Sequence, residues 1–343
     1  MNTKSLMVLV VLLVAGALSY FYSNVERTIN SADSIGAHIM PGLYNALNDV
    51  SALTVTGAEN NVLVTLQRHQ DQWVVAERNN YPADLSKIRN AALALAEAKI
   101  VEEKTSNINL YVKLGVEEID TNEATGVKAV VNFADQKQAL IVGKPGPQIN
   151  KTRYVRRADE KTSWLVDRKI DLNYEVAHWL EKDILSVEPA ELSTISLRLQ
   201  DGATLEIFNH KHGEEDVFAV SNLTDPDSQV IEAEIHQVTN ALSSFQLLDV
   251  ENRSTFDGGE PTYTIKFVLK SGVSLELIAY EVEKDHYMAI NPTAKSSDQV
   301  GQDYVTNLKK ITGDWVFKVP NVTYDSMLKR EADILAITED QLN

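Results

Sequence analysis

The chain is expected to be an α+β protein: two tandem duplicated modules of mostly antiparallel sheet with helices packed on one face, preceded by one N-terminal transmembrane helix. Three observations predict this. A block of sequence occurs twice, short β-branched runs alternate apolar and polar residues between turn residues, and Ser5–Tyr22 carries no charge.

The repeated block is Tyr174-Glu175 with Glu181-Lys182-Asp183-Ile184-Leu185. It recurs 150 residues later as Tyr324-Asp325 with Glu331-Ala332-Asp333-Ile334-Leu335, and a tryptophan precedes each copy, Trp164 and Trp315. Upstream, Glu191–Leu197 keeps the chemical type of Asp49–Val55 at six of seven positions, 142 residues later. These echoes place a membrane segment at 1–22, a tether at 23–44, a first module at 45–187 and a second at 188–343. The second ends in a C-terminal cap, because Leu335 to Leu342 continues the echo of Leu185 to Leu192.

Within the first module, Val50–Val55, Val62–Arg68 and Trp73–Val75 read as a meander. Asp84 is placed to cap a helix whose apolar stripe is Leu85, Ile88, Ala92, Leu95 and Ala96. Strands follow at Ile100, at 126–133, at 139–142, at 153–157 and at 164–166. Tyr174–Lys182 reads as a short helix. The second module restarts the plan with strands at 191–197, 204–208 and 217–220, a helix over Glu232–Phe245, and strands at 247–250, 262–269, 274–280, 287–290 and 315–319. Alternation favours sheets with one covered face, and each module is long enough to bury a core.

At about 1.5 Å per residue, the uncharged 18-residue N-terminal stretch would span roughly 27 Å, close to the hydrocarbon thickness of a bilayer. Lys4 before it favours an outward-facing remainder, and Tyr20-Phe21-Tyr22 suits the outer interface. A cleaved signal peptide is the alternative, with Ala15-Gly16-Ala17 as small residues for cleavage. Either way the bulk of the chain is exported, which predicts a single-pass protein of the bacterial inner membrane with a periplasmic body.

The net charge of −17 disfavours nucleic acid, whose phosphates need a basic face, and the lack of cysteine removes disulfides and thiolate sites. Reactive constellations are sparse. His210 and His212 share a strand face but lack a placed third ligand, and fit a charged turn. Asp225-Pro226-Asp227-Ser228-Gln229 fails as a calcium loop, with Val230 at the glycine position and His236 at the twelfth. There is no nucleophile elbow, and Gly143-Lys144-Pro145-Gly146 is not a phosphate loop. No cofactor, metal or catalytic residue is expected. Trp73, Trp164 and Trp315 sit where a large ring fills a sheet core. Trp179 has no equivalent, because the second copy has Lys329 there. With Asn222, Asp225 and Asp227 of the following module it is the candidate contact surface.

Several of these motifs, taken in order, resemble a known family. Gln72-Trp73-Val74-Val75, Tyr81-Pro82-Ala83-Asp84, Tyr154-Val155-Arg156 and the Trp…Tyr…Asp-Ile-Leu ending, behind an N-terminal anchor, are similar to the bacterial domain of unknown function family 4340. The resemblance implies an ABC transporter neighbour, since members are often encoded beside gliding-type transporter subunits, and implies no catalytic residues. The expectation is a membrane-anchored periplasmic accessory or scaffold protein that contacts an ABC transporter permease or its extracytoplasmic subunit. A periplasmic module binding a glycan or peptide is the alternative, and an envelope hydrolase is disfavoured by the missing motifs.

Overall fold

A computed structural model describes residues 34–213, 215–226, 228–243, 245–295 and 298–336. The expected transmembrane segment and half of the tether lie outside these residues, as do Asp227 and residues 337–343 of the expected cap. Among the described residues no helix is long and apolar enough to cross a membrane. The chain is α+β and divides into two compact units: the part up to Ala76 with Leu85–His178, and Glu77–Asp84 with the part from Trp179 onward.

The first unit opens with a 3-10 turn, Leu43–Asp49, and a meander of β1 (Val50–Thr56), β2 (Val62–His69) and β3 (Gln72–Val75). Glu77–Asp84 follows, with the two-residue strand β4 (Tyr81–Pro82), and is counted with the second unit. Helix α1 (Leu85–Glu97) leads to β5 (Ile100–Thr105), the single turn α2 (Tyr111–Leu114), and a second meander of β6 (Val127–Phe133), β7 (Gln136–Pro145), β8 (Arg153–Arg157) and β9 (Ser163–Val166). Within the unit the strand order is β3-β2-β1-β6-β7-β8-β9-β5, antiparallel throughout. Alternation decides which face is covered. Leu53 stands opposite Leu66 and Val131, and Val55 opposite Val64 and Ala129, forming one buried row across three strands. Each such side chain contributes about 1.5–3 kcal/mol by leaving water. Ile88, Ala91, Ala92, Leu95 and Ala96 of α1 are buried as its spacing predicts, whereas Leu85 is 50% exposed.

Between β5 and β6, backbone packs directly on backbone. Gly115, at φ 71°, ends α2. A Cβ on Gly126 would stand 2.1 Å from the Gly115 carbonyl oxygen, and one on Gly143 would stand 2.3 Å from that of Leu114. The buried Arg156 guanidinium ties this segment down. It donates to the carbonyl oxygens of Val116 (2.8 Å) and Glu160 (2.9 Å) and to the Glu118 carboxylate (2.6 Å), and lies 4.9 Å from the centre of the Tyr111 ring.

The second unit contains β10 (Leu192–Leu199), β11 (Thr204–His212), β12 (Glu215–Val220), α3 (Glu232–Asn240), β13 (Asp249–Asn252), β14 (Tyr263–Leu269), β15 (Ser274–Val282), β16 (Asp285–Thr293), α4 (Gln299–Thr312), β17 (Trp315–Val319), α5 (Asn321–Met327) and α6 (Glu331–Ile334). Its strand order, β12-β11-β10-β14-β15-β16-β17-β13, repeats that of the first unit position for position. The core row is equivalent as well, with Ile195 opposite Ile207 and Phe267, and Leu197 opposite Leu205 and Ile265. Even an irregularity recurs. Pairing of β1 with β6 slips between Val50 and Ala52, and pairing of β10 with β14 slips between Leu192 and Thr194, so Ser51 and Ser193 occupy the same bulge.

Segment Glu77–Asp84 completes this second core. Tyr81 is fully buried, with its ring edge-on to Trp315 (5.2 Å between centres) and its hydroxyl donating to the Glu181 carbonyl oxygen. Arg78 makes a two-pronged bond to the Asp249 carboxylate, both contacts 2.7 Å, and its carbonyl oxygen accepts the Trp315 indole N–H.

Three local expectations change. The helix read over Tyr174–Lys182 is only a 3-10 turn, Val176–Trp179. Leu180 instead bridges Ala83, with the Asp84 amide donating to Trp179 and the Glu181 amide to Pro82, so strand-like pairing replaces helical bonds. The helix starting at Glu232 stops at Asn240, whose side chain bonds the His236 carbonyl oxygen while Ser243 donates to its own carbonyl. Helix α4 has no counterpart in the first unit, where a short turn joins β8 to β9.

Candidate functional site

The expected contact surface does not form as one. Trp179 is 1% exposed, with its carbonyl held by Asp84, so it belongs to the core and offers nothing to a partner. The same pairing recurs between Val230 and Leu335, where the fully buried Ile334 takes the place of Trp179. Asn222 is exposed, but its amide extends the sheet edge: its oxygen accepts the Glu206 N–H (2.8 Å) and its nitrogen donates to the Thr204 carbonyl (3.0 Å). Asp225 is exposed and accepts the Ser228 amide in a turn. Asp227 lies outside the described residues. The loop is latched to α6, with the Thr224 amide and hydroxyl both donating to the Glu331 carboxylate (2.6 and 2.7 Å). Val230 bridges Leu335, and the Ile231 amide donates to Ile334.

A different surface has the makings of a site. In the first unit a groove of about 440 Å³, open to solvent, runs between the Leu43–Asp49 turn, the β2–β3 hairpin and the first turns of α1. Its floor is apolar and rigid, because Val50, Ile88 and Ala92 are core residues that also line it. Leu85, Leu93 and Trp73 rise along its sides, with Trp73 half-buried. The α1 spacing explains the wall: Leu85, Arg89 and Leu93 are four residues apart and share one helix side.

Two guanidiniums stand on this groove. Arg68 is only loosely held, 3.4 Å from the Asn48 carbonyl oxygen and 3.8 Å from a fully exposed Asp71 carboxylate. Arg89 is exposed and, among the described residues, has neither a hydrogen bond nor an ion pair. The lining therefore carries two cations and one anion in a chain of net charge −17. Sequence reading assigned Leu85 to the core and left both arginines aside. The available signal was an apolar residue at the first helical position, one turn before an arginine.

No set of three His, Cys, Asp or Glu residues gathers to hold a metal ion among the described residues. His210 and His212 lie on β11 opposite Val217 and Glu215, with the His210 ring against Phe208. The tyrosines pushed upward are scaffold residues. Burial raises Tyr81 and Tyr263 well above the usual phenol range. Burial, then the Glu251 carboxylate beside it, brings Tyr287 up to about 12.

Fold and groove together define an α+β protein of two like-ordered antiparallel sheets whose open recess is suited to binding. A family model described as a domain of unknown function (DUF4340) matches residues 73–262, more than half the chain, and the chain belongs to that family. No curated protein and no solved structure matches it.

Proposed function

We propose that this is a single-pass accessory protein of the bacterial inner membrane, whose exported body is a scaffold for an ABC-type permease or its extracytoplasmic subunit. The observation that carries the reading is the groove: a solvent-open apolar surface with an arginine that no group among the described residues engages. Folding does not require Leu85 to be exposed there, and contact with a partner would bury it. The uncharged Ser5–Tyr22 stretch supports the membrane anchor. The transporter enters through the family's association with such subunits, which is analogy and not mechanism. Two sheets of one strand order with one shared bulge support an origin by tandem duplication.

The test is purification of the tagged full-length protein from membranes after mild crosslinking. Recovery of a permease or its extracytoplasmic subunit is expected, as is retention in the membrane after an alkaline carbonate wash. Reproducible recovery without any transporter subunit overturns the scaffold reading, and release by carbonate overturns the anchor. A second reading, a small-ligand module, is favoured by the groove's volume, which falls within the ordinary ligand-pocket range. A thermal-shift screen of envelope glycans and peptides that stabilises nothing overturns that one.

A further inference from the structure

We infer that the groove beside α1 is a docking site for an acidic amphipathic segment of a partner protein, whose apolar side chains enter between Leu85, Leu93 and Trp73 while a carboxylate meets Arg89 and Arg68. This inference rests on the scaffold reading and gives it a chemistry.

Charge points to the acid. A partner carboxylate would find Arg89 unengaged and Arg68 held only at 3.4 and 3.8 Å, so neither has a strong internal bond to break. A guanidinium offers a planar pair of donors that a carboxylate fills with two parallel bonds. Arg78 is already used in that way by Asp249. The chain's surplus of negative charge works against such a segment on acidic surfaces, whereas the groove lining carries one net positive charge.

Shape points to a polypeptide. The groove is open to solvent and not an enclosed cavity. An acyl chain laid there would keep much of its surface wet and lose the corresponding transfer free energy. An amphipathic helix instead inserts discrete apolar side chains and leaves its polar face in water. About 440 Å³ accommodates a few such side chains. Leu85, 50% exposed on one side, and the half-buried Trp73 would supply the contact area.

The experiment uses the full-length protein in nanodiscs and a fluorescein-labelled synthetic helix with leucines at i and i+4 flanked by glutamates. Matched peptides replace the glutamates with glutamine or lysine. Saturable binding seen by anisotropy is expected, weakening with added salt, about three- to tenfold weaker for the glutamine peptide and undetectable for the lysine peptide. R89E should weaken it about tenfold with an unchanged melting temperature, because Arg89 has no partner among the described residues. W73F should remove the accompanying change in tryptophan emission. Equal binding of all three peptides, or an R89E protein that binds like wild type, overturns the proposal. So does tight binding of dodecanoate with none of the peptide. If R89E still recovers the transporter subunit, the scaffold reading stands and the groove proposal falls. If the peptide binds as expected but no subunit is ever recovered, the reverse holds.

Discussion

Arg156 shows how one charged residue can be structural in a chain with so many charges. Its guanidinium is almost wholly buried and bonded to two carbonyls and a carboxylate. R156A should cost about 2–4 kcal/mol in urea unfolding, since the carbonyls it satisfies lose their donors. R156K should recover only part of this, because a single ammonium cannot reach all three acceptors. Alkaline pH should act through the tyrosines. The folded state holds the Tyr287 proton up to about 12, whereas the unfolded chain releases it near the ordinary value of about 10. The contribution is therefore complete below about pH 10 and lost as pH rises towards about 12. Y287F should flatten the fall in stability over that window in denaturant titrations, and an unaltered slope would contradict it. Trp179 marks a limit of sequence reading at this scale. A tryptophan without a repeated partner looked exposed, but the Ala83–Leu180 bridge that draws it inward joins residues nearly a hundred positions apart.

At the scale of elements, strands were legible and helices less so. Trp315–Val319 has the bounds its sequence suggests, and the paired Leu53 and Ile195 rows follow from alternation alone. Helix α4 was passed over because its buried stripe is Gly301, Val305, Leu308 and Thr312, of which only two are strongly apolar. The block Glu-x-Asp-Ile-Leu carries a sharper lesson. In its second copy it forms α6, capped when Asp333 accepts the Arg330 amide. In its first copy it forms no helix: the Ile184 amide donates to the Lys182 carbonyl and Leu185 bridges Phe245. Identical letters take different local form because what they pair with differs. The groove was illegible for a related reason: nothing in residues 68, 73 and 89 announces that a hairpin and a helix bring them together. G143A tests one of the tightest element contacts. A methyl group there meets the Leu114 carbonyl oxygen at 2.3 Å, so a loss of about 1–3 kcal/mol is expected, measured by thermal melting.

At the scale of the molecule, sequence echoes put residues 77–84 in the first module, while packing gives them to the second unit, where Tyr81 meets Trp315 and Arg78 meets Asp249. A fragment of residues 188–343 should therefore melt without cooperativity and show red-shifted emission from Trp315; a sharp transition near that of the full chain would refute this. The same arrangement sets a timetable for folding. The carbonyl that receives the Tyr81 hydroxyl lies 100 residues later in sequence, the carboxylate that receives Arg78 lies 171 later, and the indole that donates to Arg78 lies 237 later. As the chain emerges from its N-terminus, Glu77–Asp84 appears early and must wait, with an aromatic ring unsheltered, until nearly the whole protein has followed. Closing such distant pairs is slow. The protein should thus pass through a long-lived, partly folded stage that lasts until the covering residues have been made.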